Sequence, residues 1–262
     1  MAQQALNTAD WLQLLQVGTL DVKGVLPWSS NYSFLVNICP NTAVWEALPH
    51  VSRGALSEVR AVYKPRRGER PLWDFTQGTL CQRERAAFLV SQALGWNLIP
   101  PTVLREGSHG TGSVQLFIPH DPEAHYFTFE GEPSFRDALQ KTVILDIIIN
   151  NADRKAGHVL LEEHEEGDRL WLIDHGICFH TEHKLRTVIW EFAGEPIPAE
   201  LLADLTSFSN KLAANDGGLR TELTRLLAQA EVEALQRRTM RLLQEARFVS
   251  PGPGRHYPWP PV

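Results

Sequence analysis

Asn151-Ala152-Asp153-Arg154-Lys155-Ala156-Gly157-His158 is a polar, irregular segment set between apolar ones. It follows residues 142–149 (TVILDIII), which read as the end of a buried helix. It precedes two short apolar runs, 158–161 and 170–173, split by the acidic turn EEHEEGD. The second run ends in Leu172-Ile173-Asp174-His175-Gly176. An aspartate directly after an apolar strand, with glycine two residues on, is placed to hold a cation at a strand end. Asp153 and Asp174 on adjacent loops can then divide the work. One orients or deprotonates a hydroxyl nucleophile, and the other holds a metal on nucleotide phosphates. The plainer alternative for Asp153 is a loop aspartate that caps a turn with Asn151.

Before this segment, residues 135–149 read as a long helix capped by Ser134. Residues 80–94 read as another, with Gly95 as its stop. Strands are expected at 19–26, 32–38, 58–64, 102–104 and 113–118. The tip of the first hairpin is Ser29-Ser30-Asn31, and the glycine-rich stretch EGSHGTGS separates the last two strands as a turn. A short helix through Trp11 and Leu15 is expected near the N-terminus, capped by Thr8 or Asp10. The chain after the Asp174 loop is mostly helical in pattern to residue 248. Its proline-rich tail, PGPGRHYPWPPV, reads as a docking segment or an extended strap. Strands thus dominate roughly the first 115 residues and helices the remainder, which predicts an α+β, bilobal protein with a cleft between lobes. The expected lobes are residues 1–118, strand-rich with one long helix, and residues 119–262, mainly helical and carrying both loops.

The bulk numbers agree with a folded chain. Of 262 residues, 43% are hydrophobic and 21% charged, enough for a packed core. A net charge of -6 argues against a protein that binds nucleic acid by phosphate neutralisation. Cys39, Cys81 and Cys178 are few, odd in number and far apart, which suggests reduced thiols in a cytoplasmic protein. The N-terminus lacks a basic region and a long apolar run, so no signal peptide and no membrane span is expected.

Asp153-x-Lys155-x-x-His158 followed by Asp174-x-Gly176 resembles the catalytic and metal-binding loops of the protein-kinase-like superfamily. The resemblance is nearest to its phosphatidylinositol 3-/4-kinase and HipA-type branch and covers nearly the full length. It implies an ATP-dependent phosphotransferase. Asp153 would orient the acceptor hydroxyl, Lys155 would stabilise the transferring group, and Asp174 would bind magnesium or manganese. It further implies that Lys64 neutralises nucleotide phosphates and that Glu84 is its ion-pair partner. A solvated strand end is the alternative for Lys64. Glu84 stands in a charge run with Arg83 and Arg85, either of which can change the pairing. Ser29, Ser30 and Asn31 would replace a glycine-rich phosphate lid, though Ser-Ser-Asn is also an ordinary turn. Adenine would bond to the backbone near Phe117 and Ile118.

His158 departs from the pattern, because the superfamily usually has asparagine as second metal ligand there. Magnesium prefers oxygen and imidazole suits softer ions. Three readings follow: His158 is no ligand, it is a ligand with manganese preferred, or the site binds nucleotide without turnover. His175 stands where many kinases have phenylalanine. His158, His175, His180 and His183 match no HExxH or HxxEH zinc pattern. The acceptor is open among protein, small-molecule and lipid hydroxyls, since acceptor choice lives in loops that motifs do not define. A nucleotide-sensing pseudokinase that acts as an interaction module is the alternative.

Overall fold

The computed structural model describes residues 6–27, 31–52, 56, 58–165, 167–214 and 217–262. The chain divides into two compact units, Met1–Arg85 with Pro100–Phe117, and Ala86–Ile99 with Ile118–Val262. The architecture is mixed α and β, with an antiparallel sheet in the first unit and mainly helices in the second. No helix among the described residues is long and apolar enough to cross a membrane.

The first unit opens on α1 (Thr8–Val17). Its cap is Asn7: the side chain accepts the Asp10 N–H at 3.0 Å, and the Asp10 carboxylate accepts the Asn7 N–H at 3.1 Å. The cap expected at Thr8 or Asp10 is Asn7 instead, and Asp10, three residues further on, reaches back to it. Arg105 caps the other end, donating to the Leu15 and Gly18 carbonyls at 2.7 and 2.8 Å.

Five strands follow, β1 (Thr19–Val25), β2 (Phe34–Cys39), β3 (Val59–Pro65), β4 (Thr102–Gly107) and β5 (Gly110–Leu116), in the order β1-β2-β3-β5-β4. All neighbours are antiparallel. A short helix, α2 (Thr42–Ala47), was not expected from the sequence; Asn41 caps it by accepting the Val44 N–H. One face of the sheet buries Val36, Ile38, Ala61, Tyr63, Val103 and Val114 against Leu14 and Leu15 of α1. Side chains alternate along β3, so Lys64 falls on the face opposite Ala61 and Tyr63.

The glycine-rich stretch is mostly strand, which corrects the expected turn. Gly107 and Gly112 lie against β3. A Cβ on Gly107 would come within 2.8 Å of the Tyr63 ring, and one on Gly112 within 2.5 Å of the Lys64 carbonyl oxygen. These glycines let β4 and β5 close over a buried tyrosine, and only Gly110, at φ +92, serves the reversal itself.

Helix α3 (Leu80–Ala93) begins in the first unit and ends in the second. Its continuation is tied to the second unit by Trp96, which donates to Asp204 at 2.8 Å, and by Lys211, which donates to the Ala93 carbonyl at 2.7 Å. The second unit contains α4 (Tyr126–Phe129), α5 (Arg136–Ile149), a hairpin of β6 (Val159–Glu162) and β7 (Arg169–Leu172), and α6 (Ala199–Ala213), α7 (Leu219–Thr224) and α8 (Gln229–Glu245). Ser134 does not cap α5. It sits inside a 3-10 turn, Pro133–Phe135, that leads straight into the helix. The chain after the Asp174 loop, expected to be mostly helical to residue 248, holds no α-helix or strand before α6 at Ala199. Its backbone groups there bond instead to other segments, as in Ala152 N–H to Ile177 O at 3.0 Å and Arg186 N–H to Asn151 O at 2.9 Å.

The tail packs as an extended strap. The His256 carbonyl accepts the Thr187 N–H at 3.1 Å and the Pro261 carbonyl accepts the Ala156 N–H at 2.8 Å. The three cysteines are free thiols, and burial pushes the Cys81 thiol up to about 12, which makes it unreactive near neutral pH.

Candidate active site

Asp146 is the charged residue in the apolar end of α5 and is 1% exposed. A carboxylate so placed requires a partner. Arg154, 0% exposed, supplies it: Nε lies 2.9 Å from Oδ2 and Nη2 lies 3.0 Å from Oδ1. Nη1 donates to the carbonyls of His158 and Ile173, each at 3.1 Å. The remaining Nη2 proton meets His175 Nε2 at 2.7 Å, so that ring nitrogen is the acceptor. All five guanidinium donors are thus used, and they join α5, the 151–158 segment and the 172–176 segment. Asn151 adds a bond to Asp146 Oδ1 at 2.9 Å. His175 is a buried part of this staple.

Four polar side chains gather on the two loops so fixed. Asp153 is positioned by its own N–H, which donates to Asn151 Oδ1 at 3.0 Å. Its carboxyl lies 3.9 Å from Lys155 Nζ. Burial pushes the Asp153 carboxyl up to about 6; Lys155 opposes that shift, Asp174 adds to it, and Arg186 and Arg154 oppose it. His158 Nδ1 lies 2.9 Å from the Asp153 carbonyl oxygen, and Nε2 lies 3.5 Å from Asp174 Oδ2. Metal-ligating histidines show this arrangement, in which one ring nitrogen is held by a carbonyl and the other faces the ion. Asp174 has φ +60, a left-handed conformation uncommon for any residue but glycine. The Asp174 oxygen and His158 nitrogen together fit a divalent cation. Among the described residues there is no group of three or more His, Cys, Asp or Glu that would make an all-protein metal cage.

In the first unit, Lys64 Nζ and Glu84 Oε1 form an ion pair at 2.5 Å, with the Glu84 side chain 4% exposed. The neighbouring arginines are engaged elsewhere. Arg83 stacks 4.9 Å over the Phe75 ring, and Arg85 donates to the Thr102 carbonyl. The Phe117 N–H donates to the Arg60 carbonyl at 3.1 Å, and His120 Nδ1 meets the Ile118 carbonyl at 2.8 Å. Asn31 Oδ1 accepts the Arg70 N–H at 2.8 Å. Ser29 and Ser30 lie outside the described residues.

Sequence reasoning passed over Arg154, Asn150 and Arg186. Asn150 ends α5 at φ +54 and donates to the His180 and Glu182 carbonyls at 2.9 and 2.6 Å, fastening the loop beyond Asp174. Arg186 acts on Asp153 through its charge, and its buried Nε has no acceptor among the described residues. One signal was available: a lone aspartate inside TVILDIII demands a buried cation, and Arg154 is the nearest arginine downstream.

Residues 105–243 match the family model described as phosphatidylinositol 3- and 4-kinase. The chain is 36% identical to Protein Rv2133c of Mycobacterium tuberculosis, with 94% of each chain covered. It is 31% identical to phosphatidylinositol 4-kinase gamma 4 of Oryza sativa subsp. japonica, over 48% of this chain and 25% of that one. Among solved structures, the Golgi casein kinase with Mn/ADP bound gives a TM-score of 0.59 at 15% identity, covering 91% of this chain and 75% of that one. The Helicobacter pylori proinflammatory kinase CtkA gives 0.52 at 10% identity, covering 89% and 94%. At such identities these two establish a shared kinase-like fold. With more than half its length matched by the family model and a full-length relative above 30% identity, this chain belongs to the phosphatidylinositol 3- and 4-kinase family.

Proposed function

We propose that the chain transfers the γ-phosphoryl group of ATP to a hydroxyl on a protein, lipid or small molecule. The observation that carries this reading is the convergence of Asp153, Lys155, His158 and Asp174 on two loops fastened by one guanidinium. In the step, the acceptor oxygen bonds to the γ-phosphorus, the bond to the β–γ bridging oxygen breaks, and ADP leaves. The acceptor proton passes to the Asp153 carboxylate. A value of about 6 leaves that group ionised at neutral pH yet basic enough to take a proton. Lys155 offsets the charge on the transferring group.

Asp174 and His158 would hold a divalent cation, which when bound neutralises charge on the nucleotide phosphates. Their nitrogen and oxygen donors suit manganese as well as magnesium. Lys64, oriented by Glu84, is the further phosphate-neutralising cation in this reading. Backbone groups at Phe117 and Ile118 would contact adenine, and Ser29, Ser30 and Asn31 the phosphates.

The test is ADP release and autophosphorylation by intact mass, with ATP and either magnesium or manganese. Turnover is expected with at least one metal. Asp153→Asn should lower it by about 10²–10⁴-fold while the nucleotide-induced rise in melting temperature persists. Nucleotide binding without turnover, unaffected by Asp153→Asn, would replace this reading with a pseudokinase that acts as a sensor.

A further inference from the structure

A cavity of about 410 Å³ lies between α8 and the strap, within the second unit, and none of Asp153, Lys155, His158 or Asp174 lines it. Arg238 and Arg241 of α8, Arg255 of the strap and Trp190 form its polar wall. Ile147, Leu185 and Leu242 form its apolar wall.

Two buried donors here lack acceptors. Arg238 Nη2 and Trp190 Nε1 are buried with no hydrogen-bond partner among the described residues, and both residues belong to the cavity lining. Native interiors rarely leave such groups unpaired, so each calls for an acceptor that the described residues do not supply. The charge balance points to an anion. Three arginines face one acid, Glu245, which is already engaged by Arg241 at 2.7 Å. The local field is positive enough to act on a neighbour: partial desolvation, and then Arg241 and Arg238, lower the His183 pKa below its ordinary value.

We propose that this cavity binds a small organic phosphate, with its phosphate on Arg238, Trp190 and Arg255 and an apolar or aromatic body against Leu185 and Leu242. The volume falls in the range of small-molecule sites. One of these residues reaches toward the loops of the candidate active site. Arg238 also donates to the Ile148 carbonyl at 2.7 Å, at the end of α5, and to the His180 carbonyl at 3.1 Å, beyond Asp174. The strap that closes the cavity holds Thr187 and Ala156 by backbone bonds. A ligand here therefore contacts the supports of both loops without touching them.

Calorimetric titration of the full chain with phenyl phosphate, without nucleotide or metal, tests the site. Saturable binding is expected, about tenfold or more tighter than inorganic phosphate, with phenol giving none. Trp190→Phe keeps the ring and removes the donor; Arg255→Gln removes an exposed charge. Each should weaken phenyl phosphate by about fivefold or more. Asp174→Ala should leave it unchanged, which separates this site from the phosphotransfer loops and makes the result independent of the proposed reaction. Absent saturation, indifference to both cavity variants, or loss of binding in Asp174→Ala would each overturn the proposal.

Discussion

Arg154 and Asp146 form an ion pair with 0% and 1% side-chain exposure, Nε to Oδ2 at 2.9 Å. The pair sits at the root of the 151–158 segment. The guanidinium is the object around which two loops are folded, because its other donors close onto the His158 and Ile173 carbonyls and the His175 ring.

Asp146→Asn should therefore lower unfolding stability by about 3–5 kcal/mol, since it leaves a buried guanidinium without its counter-charge. Arg154→Lys should not rescue the fold, because one ammonium cannot fill five acceptor positions. Urea unfolding monitored by circular dichroism reads both. Stability within 1 kcal/mol of the parent in either variant (about a fivefold change in the unfolding constant) would contradict the staple.

Asp153 carries a pH signature. Its carboxyl rises from 3.8 to about 6 chiefly through burial. A raised folded-state value means the stability it contributes is fully present below 3.8 and lost as the pH climbs through about 6. Asp153→Asn should thus stabilise the metal-free protein above pH 6, by up to about 3 kcal/mol, and change little near pH 4. Turnover should fall in the opposite sense, about tenfold per unit below pH 6, as the base is protonated. Melting temperatures of both proteins across this range, without metal, check the stability arm.

Asp174→Ala should abolish the metal-dependent rise in melting temperature with ATP. Unchanged binding would remove Asp174 from the metal role. His158→Asn should shift activity toward magnesium over manganese, because an amide oxygen replaces an imidazole nitrogen. An identical metal profile would show that His158 is not a ligand.

Lys64→Met should remove the ion pair to Glu84, 4% exposed, costing about 1–3 kcal/mol of stability. The Lys64→Met, Glu84→Gln double variant should recover part of that loss. Additive losses in the cycle would show that the pair is not coupled.

Gly112→Ala tests the packing beneath Lys64. Its new Cβ would meet the Lys64 carbonyl oxygen at 2.5 Å and Pro65 Cα at 2.7 Å, both backbone atoms that cannot turn aside. A loss of about 2 kcal/mol or more is expected, against a much smaller effect for alanine at Gly157, where a Cβ meets nothing within 4 Å.

The local pattern of this chain was legible in its residues. The apolar spacing of residues 80–94 and 135–149 announces α3 and α5, and the two short runs around EEHEEGD announce β6 and β7. The polar segment after α5 and the aspartate at the end of β7 could be placed from the same pattern, because each is defined by the element beside it in the chain. Glycine at 107 and 112 is strand and not turn for the same reason: a glycine in sequence signals freedom to turn, and nothing local says that a tyrosine ring and a strand backbone lie against it.

What only the tertiary structure decided is how separate segments meet. Arg154 touches Asp146 upstream and Ile173 and His175 downstream, the strap's Pro261 carbonyl holds Ala156, and Trp190 and Arg238 come to face one cavity. Periodicity reports which face of an element is buried, never which distant group it is buried against. Pairing a buried charge, filling the space above a glycine and leaving a donor open are outcomes of chain closure across long separations, and these join the two loops of the candidate active site in one geometry.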